Sequence, residues 1–151
     1  MKTIFDKDTR DGLIERTNQL DSESKALWGK MNVYQMTKHS IIWNQWVLGV
    51  DNKIEYKQSF LGKLFGKIVL KSSTKNDKPL GKNEPAGSDF TVKEKSGDVE
   101  KQKHTLIELI EQYENYDNPD FIHDFFGKMT KDEIGIFAYK HSDHHLRQFG
   151  V

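Results

Sequence analysis

The stretch TKDEIGIFAYKHSDHHLRQ, residues 130–148, constrains the fold more than any other part of this chain. Thr130 with Glu133 three residues on has the form of a capping box, in which each residue satisfies a backbone amide left open at a helix start. On a wheel of about 100° per residue, Ile134, Phe137, His141, His145 and Gln148 share a sector of roughly 80°. The stretch therefore reads as a helix that buries one stripe, and two of its three clustered histidines lie in that stripe. His144 sits at the stripe's edge. Asp143 and Arg147 fall on the opposite side, and Ser142 and Leu146 lie outside the stripe.

The same periodicity recurs upstream. Residues 5–20 place Phe5, Leu13, Thr17 and Leu20 on one face. A polar, turn-like DSESKALWGKMN follows. Asn32 with Gln35 is a second capping box, and it opens a helix with Met36, His39, Trp43, Trp46 and Val50 at spacings of three and four. SFLGKLFGKIVL reads as a short basic amphipathic helix, with Gly62 and Gly66 permitting close backbone approach on one side. A long loop rich in small polar residues, with Pro79 and Pro85, carries the chain onward. Residues 98–116 form a further long helix with Leu106, Ile107, Ile110 and Tyr113 as its stripe. No strand pattern is strong enough to build a sheet. Four long helices joined by one elaborate crossover imply an all-α helical bundle.

At 151 residues the chain suits a single domain spanning 1–151. Lysine plus arginine balances aspartate plus glutamate at 23 each, so no global charge argues for nucleic acid or for an anionic membrane. The absence of cysteine excludes disulfides, thiolate metal sites and cysteine catalysis. The first residues show no signal-peptide core, and no apolar run reaches spanning length, so a cytoplasmic location is expected.

Without cysteine, a metal would be held by histidine and carboxylate. Imidazoles four residues apart on one helix face can grip a single cation. His141 and His145 supply two ligands, and His39, inside another apolar stripe, is the candidate third. Three neutral imidazoles with an open position is the pattern of a catalytic rather than a closed zinc site. Taken singly, each histidine also fits a hydrogen-bonded core residue. His104 is expected to face solvent, and His123 to lie in a loop. Gln148, one turn beyond His145, suits a hydrogen-bonding role beside the metal or toward substrate, or a backbone-bonded buried glutamine. Trp43 and Trp46 read as core, with a pocket wall as the alternative for both and Trp43 the candidate beside the site. Glu133 is explained as a cap and Asp143 points away, so no dedicated general base is evident.

LWGKMNVYQMTKHS, DKPLGKNEP, FFGKMTKDE and YKHSDHHLRQFGV, in this order and spacing, resemble the DUF1569 family of the DinB/YfiT-like superfamily. The resemblance implies an up-down-down-up four-helix bundle, often a homodimer, with a divalent metal held by His39, His141 and His145. It departs from the expected pattern at Asp124, in place of a proline, and at Ile134, in place of a tryptophan. Characterised superfamily members include transferases that join low-molecular-weight thiols to electrophiles. The chemistry that follows is a metal-dependent transferase or hydrolase with zinc, nickel or another borderline divalent ion. The second reading is a non-catalytic binding module. Residues 53–82 hold eight lysines against Glu55 and Asp77, and could meet an anionic ligand or membrane surface, leaving any metal structural or vestigial; the same lysines also fit a solvated face covering a helix that packs on the bundle.

Overall fold

The structure is a computed structural model that describes residues 1–50, 53–83 and 87–151; Pro85 of the crossover lies outside the described residues. Among the described residues five α-helices carry the fold: α1 (Lys7–Asn18), α2 (Val33–Leu48), α3 (Phe60–Thr74), α4 (Val99–Gln112) and α5 (Lys131–Gln148). The all-α expectation holds, with one small exception. Ile122–His123 (β1) and Gly127–Lys128 (β2) form a two-residue antiparallel hairpin around Asp124, Phe125 and Phe126. Gly127 at its return has φ +72°, a conformation in which a Cβ would be strained.

Both capping boxes form. Asn32 and Gln35 exchange side-chain and backbone bonds at the start of α2, and Thr130 and Glu133 do so for α5. Asp98 caps α4 by accepting from the Lys101 amide. The 98–116 expectation divides: α4 ends at Gln112 and a 3-10 turn, Tyr113–Asn115, tucks the fully buried Tyr113 ring inward. At the end of α2, Gly49 takes a left-handed conformation and turns the chain away, so Val50 is exposed rather than part of the stripe.

α4 packs on α1 and α2, and α5 packs on the same two helices, so these four enclose the core in the cyclic order α1, α4, α2, α5. Leu13, Met36, Trp46, Val47, Leu106, Ile110 and Ala138 meet there. α5 is buried on more than the predicted stripe, for Ser142 and Leu146 are also buried. The N-terminal segment crosses α5 at Gly135, where a Cβ would collide with Thr3 and Phe5, and Ile4 donates to the Gly135 carbonyl at 3.0 Å.

α3 belongs to the crossover between α2 and α4 and leans on α5 and β2. Its buried side is Gly62, Gly66 and Leu70. A Cβ at either glycine would run into the Phe125 carbonyl, so the helix backbone lies directly against the hairpin. The close approach anticipated at the two glycines is thus the packing contact, and the apolar pairs of the amphipathic pattern are left outside.

Candidate metal centre

His39 stands in the middle of α2, between Met36 and Trp43 on its inward face. His141 and His145 project from α5 one turn apart. Where α2 crosses α5 the three rings converge, with centroids 5.4 Å apart for His39 and His141, 4.8 Å for His39 and His145, and 4.7 Å for His141 and His145. One nitrogen from each lies within 4.8 Å of the others, and among the described residues no fourth histidine or carboxylate joins the group. His39 is 4% exposed and His145 7%, while His141 is partly exposed.

Hydrogen bonds fix which nitrogen is free. His39 Nδ1 lies 2.9 Å from the Phe90 carbonyl, which can only accept, so the proton is on Nδ1 and Nε2 keeps its lone pair. His145 Nδ1 lies 3.0 Å from Gln148 Oε1, and the Gln148 amide nitrogen donates to the Trp28 carbonyl at 2.9 Å. That arrangement again leaves Nε2 free. His141 Nε2 faces His39 Nε2 at 3.4 Å, and His141 Nδ1 is buried without a partner. Its ring is clamped instead by Trp43, stacked at 4.1 Å and 20°.

Burial sets the electrostatics. His141 is pushed well below the usual imidazole range by desolvation, reinforced by the neighbouring charges of His145 and His39. His145 is pushed down to about 3, by burial first and then by His39, against a small opposing contribution from Gln148. His39 is lowered by burial, opposed by its bond to the Phe90 carbonyl. All three are thus neutral imidazoles at neutral pH, the state in which histidine ligates a metal.

This donor set fits a borderline divalent ion. Two imidazole nitrogens bound to one zinc at tetrahedral angles stand about 3.3 Å apart, given Zn–N bonds of about 2.0–2.1 Å. The 3.4 Å separation of His39 Nε2 and His141 Nε2 matches that edge, while the set as a whole spans up to 4.8 Å and would have to draw in around an ion. With no cation, two lone pairs would face each other there, or His141 would donate over a long contact and leave Nδ1 as a buried acceptor without a donor. The all-nitrogen set also disfavours calcium and magnesium, which require oxygen ligands.

The chain belongs to the DUF1569 family. The family, described as "Protein of unknown function (DUF1569)", matches residues 7–150. No curated protein and no solved structure matches the chain. Membership in DUF1569 therefore accounts for the whole helical body but assigns no chemistry to it.

Of the residues singled out from this DUF1569 sequence, the fold unites His39, His141, His145, Trp43 and Gln148. His144 lies beside them, partly exposed, with its ring edge-on to His145 at 5.1 Å and to Trp28 at 6.0 Å. His104 is exposed, as expected. His123 differs from expectation, because it is a buried residue of β1 packed between Phe126, Trp46 and Phe137. Asp143 does point away from the site, pairing with Arg16 at 2.8 Å and Arg147 at 3.0 Å.

Sequence reasoning missed two supports, the carbonyls of Phe90 and Trp28. A carbonyl has no side-chain identity, so no local signal announces it. A hint for the second is Gly29, where φ is +81° and a Cβ would stand 2.5 Å from the Gln148 amide nitrogen. Only glycine gives that turn both its conformation and its clearance.

Proposed function

We propose that this chain is a single-domain, metal-dependent enzyme built as a DinB/YfiT-like four-helix bundle of up-down-down-up order. Its ligands are His39, His141 and His145, and its ion is zinc or nickel. One observation carries the reading: three neutral imidazoles from two helices converge, and among the described residues no further histidine or carboxylate closes the set. The cyclic contact order of α1, α4, α2 and α5 supports the bundle, with α3 as the extra helix of the crossover.

A bound ion would supply Lewis acidity, lowering the pKa of a water for hydrolysis or of a substrate thiol for transfer. The chain's own residues do the positioning. Phe90 and Gln148 hold His39 and His145 in the tautomers that present Nε2. Trp43 fixes the plane of His141. His144 and the Trp28 ring are at the edge of the histidine cluster, where His144 would contact a small-molecule substrate, for which a low-molecular-weight thiol is the leading class. A cytoplasmic location and a homodimer belong to the same reading, and sedimentation velocity of the metal-loaded chain reads the second directly.

The test is metal stoichiometry on protein purified without an affinity tag. About one zinc or nickel per chain is expected, with loss of that ion in His141→Ala and in His39→Ala. Absence of stoichiometric metal from both the purified and the reconstituted wild type would refute the reading.

A structural metal is the second reading, favoured by the burial of His39 and His145. A surface cleft of about 180 Å³ is lined by Tyr116, Asp117, Pro119, Met129, Lys131 and Ile134 and contains none of the three histidines. Cobalt substitution separates the two readings. New near-ultraviolet absorption on adding a small thiol requires an open coordination position, and an unchanged spectrum assigns the metal to structure alone.

A further inference from the structure

Helix α3 presents its apolar side to solvent. With Gly62, Gly66 and Leu70 turned inward, Phe60, Leu61, Leu64, Phe65, Ile68 and Val69 all point out, from 40% exposed at Val69 to 75% at Phe60. On a helical wheel they cover an arc of roughly 180°. Among the described residues the other large exposed apolar side chains are Met1, Leu27 and Val50, so the apolar surface is concentrated on this one helix. A contiguous patch of this kind marks an interaction surface.

The helix is held firmly in this orientation. The Ser59 hydroxyl caps it by accepting from the Gly62 amide, and the Ser59 amide donates to the Asp124 carbonyl at 2.7 Å. Lys67 donates to the Lys128 carbonyl. At and just past the C-terminal turn, the ammonium of the buried Lys140 on α5 donates to the carbonyls of Ser73, Asn76 and Lys78. Rotating the apolar side inward would break these bonds and drive side chains into the hairpin where only glycine fits.

Charge selects the occupant. Lys63, Lys67 and Lys71, each four residues from the next, line one border of the apolar arc. The 53–82 segment around them carries eight lysines against two acids. A two-fold pairing of α3 with a second copy would set this excess of positive charge against itself, and a head-to-tail pairing would need a second apolar face, which the scattered Met1, Leu27 and Val50 do not supply among the described residues. An anionic bilayer offers apolar depth and negative headgroups together on a deformable plane. At 15 residues, α3 is about 22 Å long at 1.5 Å per residue, short of the hydrocarbon core, and its glycine edge is occupied by the protein. No helix among the described residues is long and apolar enough to cross a membrane.

We propose that α3 is a peripheral docking helix that lies in the plane of an anionic lipid bilayer, burying Leu61, Leu64, Phe65 and Ile68 among the acyl chains with its lysines at the headgroups.

Vesicle co-sedimentation of the full chain tests this at low and moderate salt. The vesicles are phosphatidylcholine alone, or phosphatidylcholine with about one-third phosphatidylglycerol. Binding to the anionic vesicles is expected to exceed binding to the neutral ones by at least about tenfold, and to weaken as salt rises. Leu64→Glu with Ile68→Glu should lose about tenfold or more while keeping the wild-type circular dichroism and melting temperature, because both side chains are exposed. Lys63→Gln with Lys71→Gln should lose about tenfold at low salt.

Because the chain has no cysteine, an environment-sensitive dye can be placed uniquely through Leu64→Cys. Its emission should shift to the blue on anionic vesicles. The same dye on Lys101→Cys, on α4, should not respond. The proposal is overturned if wild type fails to bind anionic vesicles at low salt, or if the Leu64→Glu, Ile68→Glu protein binds as well as wild type. It is overturned equally by a wild-type dimer that Leu64→Glu dissociates, since a second copy would then occupy the face.

Discussion

Gln148 is the residue where the geometry of the candidate metal centre makes its sharpest quantitative demand. Its amide oxygen accepts from His145 Nδ1 at 3.0 Å while its amide nitrogen donates to the Trp28 carbonyl at 2.9 Å, and the side chain is buried. Gln148→Met keeps the length and removes both bonds. His145 then has a buried N–H with no acceptor, and nothing favours the tautomer that presents Nε2. Loss of such a support weakens metal binding by about 10–100-fold, or about 1.4–2.7 kcal/mol. The metal-free protein should also lose about 2 kcal/mol, from the buried donor and acceptor left unpaired.

The two effects are read separately. Competition with a chromophoric chelator gives the zinc affinity, and urea unfolding of the metal-free protein gives the stability. Gln148→Glu is the control. It retains the acceptor for His145, so its zinc affinity should stay within about threefold of wild type. Its stability should fall nonetheless, because a carboxylate would face the Trp28 carbonyl. If Gln148→Met binds zinc within about twofold of wild type while His141→Ala binds none, Gln148 does not position the ligand and the argument fails.

Further measurements test the fold that holds the site. Gly12 on α1 has open space where a Cβ would go, whereas at Gly66 the Cβ would meet the Phe125 backbone. Gly12→Ala should therefore stabilise the chain by up to about 1 kcal/mol, or about 3 °C in melting temperature, and Gly66→Ala should destabilise it despite the same gain in helix propensity. A stabilised Gly66→Ala would show that α3 does not lie on the hairpin as described. Tyr113 donates from its hydroxyl to Asn44 Oδ1 at 2.8 Å, with both residues almost wholly buried. Tyr113→Phe leaves that oxygen unpaired and should cost about 1–3 kcal/mol in urea unfolding, with no change in zinc affinity. Lys140→Met removes the donor to one carbonyl in the last turn of α3 and two just beyond it, and hydrogen exchange at the amides of residues 70–78 should speed up more than at α4.

The helices were legible because their signals are local. A capping box needs residues three apart, and an amphipathic stripe needs spacings of three and four, so Asn32–Gln35 and Thr130–Glu133 announced α2 and α5 within a residue of their starts. The facing of His141, His145 and Gln148 followed from the same periodicity. The hairpin around Phe125 was not legible. Its strands are two residues each, too short for alternation to show, and they are held by α3 against β2 and by Phe137 of α5 against His123. The moderate width of the α5 stripe was misleading too, since Ser142 and Leu146 are buried by neighbours that a single-helix wheel does not contain.

Sequence alone determined that this chain is helical, that it carries histidines on inward faces, and that residues 59–70 alternate apolar pairs with lysine. Tertiary structure decided what those faces meet. It brought His39 to His141 and His145 across about a hundred residues, and supplied the Phe90 and Trp28 carbonyls that set their tautomers. It also decided which side of α3 meets the protein. A wheel ranks faces by hydrophobicity, but backbone proximity is decided by which face lacks side chains. There the glycines, not the leucines and phenylalanines, face the protein.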